Sequence, residues 1–357
     1  MPSTQRDPWL DNAKMVLVTL VVVGHSLVLV PLTDTTAHVY DFIYYLHIPA
    51  FVLVTGYLSK SFQWTRRHLT ALLTTVVVPY VVFEGAMAWF RINVGHEQNI
   101  ERLWLDPHWP MWFLAALAIW RLATPVLKAH WLMIPAALVV SLSAGLVDVD
   151  VLDISRVLGL LPFFVIGLHL TPARIEAARA PGAWVLGILI LLGIWQIAGR
   201  TDDWISTQWV YFRTSYEELG VAGTDGAVSR LLLIAIALAG TFAVLSLVPR
   251  GRSWLSTMGK QTLVVYLCHG FAIQYAEYRG YLDLLPSHPD LLLWVTVLLA
   301  VSLSLLLASA PVSGVLTWVV DPVGSVQRSR CDRQPAGVPK TQQVPGRTTS
   351  MDHARIP

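Results

Sequence analysis

The chain has 357 residues, 55% of them hydrophobic and 13% charged, with a mean hydropathy of +0.56, fifteen Trp and a formal charge of +2. Soluble chains carry roughly 25% charged residues, so this composition excludes a soluble multidomain enzyme and a disordered regulator, and the near-neutral charge excludes the dense basic face that nucleic acids need. Two cysteines, Cys268 and Cys331, lie in different kinds of segment, which excludes a disulfide scaffold and a Cys-rich metal centre.

A hydrocarbon core roughly 30 Å thick takes about 20 apolar helical residues. On that ruler ten stretches read as spans, near 13–31, 39–58, 72–91, 111–127, 131–147, 156–171, 183–199, 229–249, 262–282 and 290–311. The expected fold is all-α, a polytopic membrane bundle of about ten transmembrane helices over residues 1–320, followed by a disordered cytoplasmic tail at 321–357. The first apolar run is too long for a signal-peptide core and no A-x-A-like site follows it, so it is expected to stay in the mature chain.

Cytoplasmic loops carry the excess of Lys and Arg. With the N-terminus inside, eighteen of the 25 basic residues fall in inner segments, and ten acidic residues, from Glu97 and Glu101 to Glu217 and Glu218, fall in outer loops. The expected topology is therefore N-in and C-in, in a bacterial cytoplasmic membrane. The longest outer loop, 200–228, holds Trp204, Trp209, Tyr211, Phe212 and Tyr216. Such a loop either lies on the headgroups as an interfacial belt or caps a cavity and stacks on a sugar.

Ionisable groups inside a span are costly, by roughly 2.5 to 3.5 kcal/mol on insertion scales, and each calls for a partner, a cavity or a function. The set here is Lys14, His25, His47, Glu84, His169, His269 and Glu277. Lys14 and His25 are eleven residues apart, three helical turns plus about 20°, with a rise of about 16 Å, so they share one stripe of the first helix. His47 is expected at nearly the depth of His25 on the next helix, and Glu84 on the third can orient or charge-balance an imidazole there. His269 is expected nearer the cytoplasmic side, and Cys268 reads as a small apolar filler. No H-E-x-x-H pair, Walker loop or dinucleotide fingerprint is present, which leaves metal, ATP and nicotinamide chemistry unsupported.

With these residues in place, the chain resembles the acyltransferase-3 family of integral membrane acyltransferases, in its fucose 4-O-acetylase-like branch. The landmarks are Asp11-Asn12-Ala13-Lys14 with His25; Leu46-His47-Ile48-Pro49-Ala50-Phe51 with Thr55-Gly56-Tyr57; Pro79-Tyr80; Trp109-Pro110-Met111-Trp112-Phe113-Leu114; Leu161-Pro162-Phe163-Phe164 with Gly167; and Gly259-Lys260-Gln261-Thr262 with Tyr266-Leu267-Cys268-His269. The family's pattern has an Arg where this chain has Lys14, a point charge in place of a planar fork, and lysine at this position marks the branch. The resemblance implies a catalytic role for His25.

The expected reaction moves an acyl group, acetyl first, from cytoplasmic acyl-CoA to a hydroxyl on an extracytoplasmic or membrane-linked acceptor, a carbohydrate. His25 is the expected general base, with His47 and Glu84 positioning it or polarising the carbonyl. Lys14, Arg66, Arg67, Arg121, Lys260 and His269 are the expected contacts of the CoA side, and acyl-CoA is a substrate rather than a resident cofactor. The competing class is a proton-coupled secondary transporter using His25, His47 and Glu84.

Overall fold

The computed structural model describes residues 7–98, 100, 102–149 and 151–321. Residues 322–357 of the tail expected at 321–357, and Arg6, Glu101 and Asp150, lie outside the described residues. Among the described residues the chain is helical and contains no strand: α1 (Pro8–Ser26), α2 (Asp34–Tyr44), α3 (His47–Ser59), α4 (Arg66–Leu72), α5 (Val78–Asn93), α6 (Trp112–Leu127), α7 (Met133–Ala144), α8 (Ile154–Gly159), α9 (Leu161–His169), α10 (Pro172–Ala178), α11 (Ala183–Ala198), α12 (Gly223–Leu247), α13 (Trp254–Met258), α14 (Thr262–Tyr278), α15 (Pro289–Ala308) and α16 (Ala310–Val320).

Each of the ten expected stretches is helical, but their lengths differ from expectation. Five helical stretches are long and apolar enough to cross a membrane, Pro8–Leu29, Asp34–Ser59, Arg66–Asn93, Gly223–Leu247 and Pro289–Ala308, and two bent pairs raise the count to seven. One bent pair is Val151–Gly159 with Leu161–His169, turned by 57°, and Pro162 sits at the start of its second half. Proline lacks an N–H and fixes φ, so it starts a helix more readily than it continues one. The segment read as one span near 156–171 is therefore broken. The helix α16, Ala310–Val320, was not expected as a separate element.

The helix α1 is the centre of the bundle, packed by α3, α13, α14 and α15. Its start is fixed by Asn12, whose Nδ2 donates to Pro249 O (2.8 Å) and Gly251 O (2.9 Å), while its Oδ1 accepts from Ser253 Oγ (2.9 Å) and Ser256 Oγ (2.8 Å). Asn12 is wholly buried, where an unmet amide is expensive. Gly259 lies against the same turn, since a Cβ there would stand 1.9 Å from Asp11 O.

The tightest crossing joins α3 and α9. A Cβ on Gly56 would lie 2.1 Å from Phe164 O, and one on Gly167 would lie 2.1 Å from Leu53 O. Each helix thus contributes the small residue that lets the other's backbone close in, the usual way to gain dispersion contact where burial from lipid gives no hydrophobic drive.

Candidate active site

His25 occupies the last turn of α1, and Gly24 beside it makes room for the α2–α3 corner. A Cβ at Gly24 would meet Ile43 Cγ2 and Tyr44 Cε2 at 3.3 Å and His47 Cε1 at 3.6 Å. Across the bundle, α14 presents His269. The two imidazoles are joined by a 2.9 Å contact between His25 Nδ1 and His269 Nε2, and His269 Nδ1 lies 3.1 Å from Val265 O.

That chain of contacts fixes the tautomers. A carbonyl oxygen only accepts, so His269 carries its proton on Nδ1 and offers the Nε2 lone pair. His25 must then donate from Nδ1, which leaves His25 Nε2 as its basic nitrogen. The Trp109 ring lies against His25 with centroids 4.5 Å apart. His25 is 5% exposed and His269 is wholly buried.

His25 lines a cavity of about 910 Å³, with Tyr40, Tyr44, Trp109, Arg156 and Tyr211 among its walls. A second cavity of about 460 Å³ shares Trp109, Trp112, Arg156 and Arg213 with it and holds Glu84, Asp106 and His108. The aromatic loop expected at 200–228 contributes Gln208, Val210, Tyr211 and Thr214 to the first cavity. It is tied down by Tyr211 to Tyr40 (hydroxyls 2.7 Å apart) and by Thr207 donating to Asp41 (2.8 Å). The loop thus forms part of the cavity wall.

The other expected site residues fall in three places. His47 is wholly buried, donates from Nδ1 to Ile43 O (2.7 Å) and meets the Tyr44 ring edge-on at 4.6 Å. It adjoins Gly24, but His25 takes its hydrogen bond from α14 instead. Glu84 is buried; its Oε1 accepts from the His108 backbone N–H (2.9 Å) and its Oε2 has no partner. Its hydrogen bond thus goes to the loop before α6 rather than to an imidazole. That loop continues outward through His108 Nε2 to Gln274 Oε1 (3.3 Å) and Gln274 Nε2 to Glu277 Oε2 (2.8 Å). Burial first, and then the Arg91 charge, hold the His108 imidazole down at about 4.

At the other end of α1, Lys14 pairs with Asp11 at 2.8 Å. Lys14 and Arg121 line one cavity of about 260 Å³ with Phe51, Thr55, Phe113 and Tyr266. Arg66, Arg67 and Lys260 are exposed and lie outside that lining. His169 faces Leu127 O at 3.0 Å, away from both cavities.

His269, expected with the CoA-side residues, stands beside His25 instead. The ends of an apolar stretch do not give depth, because packing sets the helix start. Gly259 abuts Asp11, so α14 rises with α1 and carries His269 to the level of His25. Tyr266 and Phe113 line the Lys14 cavity; the Tyr266 hydroxyl donates to Pro110 O, and its ring centroid lies 6.0 Å from that of His269. Sequence reasoning did not single out Trp109, His108, Arg156 or Arg213 as site residues. Trp109 did stand in a quoted landmark, and Arg156 is an arginine inside an apolar stretch, a signal that was there to read.

A family model for the acyltransferase domain matches residues 7–312. No curated protein and no solved structure matches the chain. The match takes in α1, α14 and every cavity wall described above, and with the long apolar helices it identifies the chain as an integral membrane acyltransferase belonging to the acyltransferase-3 family.

Proposed function

We propose that the protein is an O-acyltransferase that moves an acyl group, acetyl first, from cytoplasmic acyl-CoA to a hydroxyl of an extracytoplasmic or membrane-linked carbohydrate. The observation that carries this reading is the His25–His269 pair, which leaves a basic imidazole nitrogen on a residue that lines the large cavity. Aromatic walls with interspersed polar groups suit a sugar, whose hydroxyls need partners and whose ring faces are apolar.

The smaller cavity at Lys14 and Arg121 is the place for the donor, since phosphates call for cations and a ring of apolar residues suits the pantetheine arm. The stripe from Lys14 to His25 rises about 16 Å, a span that the extended arm covers. The arm then runs past Phe113 and Tyr266, whose ring adjoins His269, and brings the thioester to the acceptor at His25.

His25 Nε2 removes the acceptor's hydroxyl proton as its oxygen forms a bond to the thioester carbon. The tetrahedral intermediate collapses, the C–S bond breaks, and the thiolate takes the proton back from His25. His269 keeps Nδ1 of His25 protonated and so keeps the base in one tautomer. A thioester is already activated, so binding, proton transfer and oxyanion stabilisation suffice.

The test is transfer of labelled acetyl from acetyl-CoA in membranes with and without the protein, joined to mass spectrometry of surface glycans. A lost acetyl-sized increment in cells lacking the gene supports the reading. Absence of acyl-CoA dependence together with a pH-driven solute flux would overturn it in favour of a proton-coupled transporter.

A further inference from the structure

The two large cavities meet at Arg156, which lines both. Its guanidinium lies over the Trp112 ring, 4.6 Å from the centroid, and Nη1 pairs with Asp153 Oδ2 at 3.0 Å. Nε is buried with no partner. Asp153 also faces Arg213 Nε at 3.4 Å, so its charge is divided between two guanidiniums.

The backbone around this cluster is unusual. Leu152 and Asp153 both have left-handed φ, 53° and 54°, and Phe212, next to Arg213, has φ 57°. Side chains other than glycine rarely hold that conformation, and it persists only where the surroundings enforce it. Here it turns the chain so that Asp153 stands between two arginines at the cavity junction. A salt bridge this enclosed costs heavily in desolvation and is weak support for stability by itself. Its placement in the wall of the cavity that His25 also lines points to a use in the reaction.

The reaction proposed above creates a charge that His25 and His269 do not meet. When the acceptor oxygen bonds to the thioester carbon, the carbonyl electron pair moves onto oxygen, and that oxyanion needs a donor. The cations lining the His25 cavity are Arg156 and Arg213. The Arg213 side chain is 44% exposed and that of Arg156 is 14% exposed, and a charge screened from water acts far more strongly on a neighbour.

We infer that Arg156, held by Asp153 and Trp112, is the catalytic cation that stabilises this oxyanion. The inference rests on His25 acting as the base. The C–O bond forms as His25 Nε2 takes the proton, and the oxygen's new charge is met by the Arg156 guanidinium. The carbonyl then re-forms as the C–S bond breaks, and His25 returns its proton to the departing thiolate.

The experiment measures steady-state acetyl transfer by the purified full chain in lipid nanodiscs, with R156M, R156K and D153N beside wild type. Removing an oxyanion donor costs roughly 10²- to 10³-fold in kcat. R156M is expected to lose that much with acceptor KM unchanged, and D153N to lose less. R156K is expected to fall at least tenfold, because a lysine ammonium cannot fork onto Asp153 and the substrate oxygen together. Added methylguanidinium is expected to restore part of the R156M rate.

A raised acceptor KM at wild-type kcat overturns the assignment in favour of acceptor binding, and unchanged kinetics overturn it outright. If R156M does not purify as folded protein, R156K decides on the same two criteria. Failure of the parent reading looks different, since wild type would then transfer no acyl group, or H25A would transfer it fully.

Discussion

His25 and His269, 244 positions apart in the chain, share a 2.9 Å hydrogen bond between Nδ1 and Nε2. Because Val265 O commits His269 to donating from its other nitrogen, the pair has one arrangement in its neutral form, with the free lone pair on His25 Nε2. A base whose tautomer is fixed before the acceptor arrives loses no rate to the wrong form.

His269→Leu is therefore expected to lower kcat by roughly 10²-fold, within the usual range for losing an element of acid–base catalysis, with donor and acceptor KM little changed. His269→Gln, whose side-chain oxygen still accepts from His25 Nδ1, is expected to retain more activity. Initial rates at saturating substrates check this. Equal kcat in both variants and wild type would show that His269 does not position the base.

The basic residues proposed for the donor divide by exposure. Lys14→Ala and Arg121→Ala are expected to raise the KM for acetyl-CoA about tenfold or more, as for loss of a charge-assisted hydrogen bond of about 1.5–3 kcal/mol. Substitution of the exposed Arg66, Arg67 or Lys260 is expected to change it less than threefold, since screened surface charges contribute little. Acetyl-CoA titrations on each variant decide between a localised site and a diffuse basic face.

The α3–α9 crossing gives a stability prediction. Gly167→Ala forces the helices apart, because its Cβ would stand 2.1 Å from Leu53 O, and a loss of about 1–3 kcal/mol is expected from overpacking. Gly193→Ala in α11 has nothing within 4 Å and is expected to be neutral or slightly stabilising. Thermal unfolding in one detergent compares the two. An equal response would mean the close approach of α3 and α9 does not contribute to stability.

His108 gives a pH dependence. Its folded value is about 4, below the ordinary 6.5, chiefly through burial, so the unfolded chain binds a proton first as pH falls. The folded state therefore loses stability as pH drops from about 6.5 toward 4 and gains nothing from this group above 6.5. His108→Gln is expected to flatten unfolding midpoints over that window. A variant with the same slope as wild type would assign the acid sensitivity elsewhere.

Helix periodicity is local, so the Lys14–His25 stripe, the helical character of the chain and the weight of buried histidines were legible in the sequence. The His25–His269 pair was not, because which helices adjoin is decided by contacts far apart in the chain, such as Gly259 on Asp11 and Gly24 against the α2–α3 corner. The break between α8 and α9 is readable from Pro162, which lies inside the apolar stretch near 156–171. Arg156 is visible in the sequence as an arginine within an apolar stretch, but its place at the junction of two cavities depends on the turn at Leu152 and Asp153.

The most direct test of His25 as the base is single-turnover transfer of labelled acetyl from acetyl-CoA by purified His25→Ala and His25→Gln protein whose unfolding midpoints match wild type. Loss of roughly 10²- to 10⁴-fold in rate with intact acetyl-CoA binding is the predicted result. Transfer at the wild-type rate in either variant would contradict it.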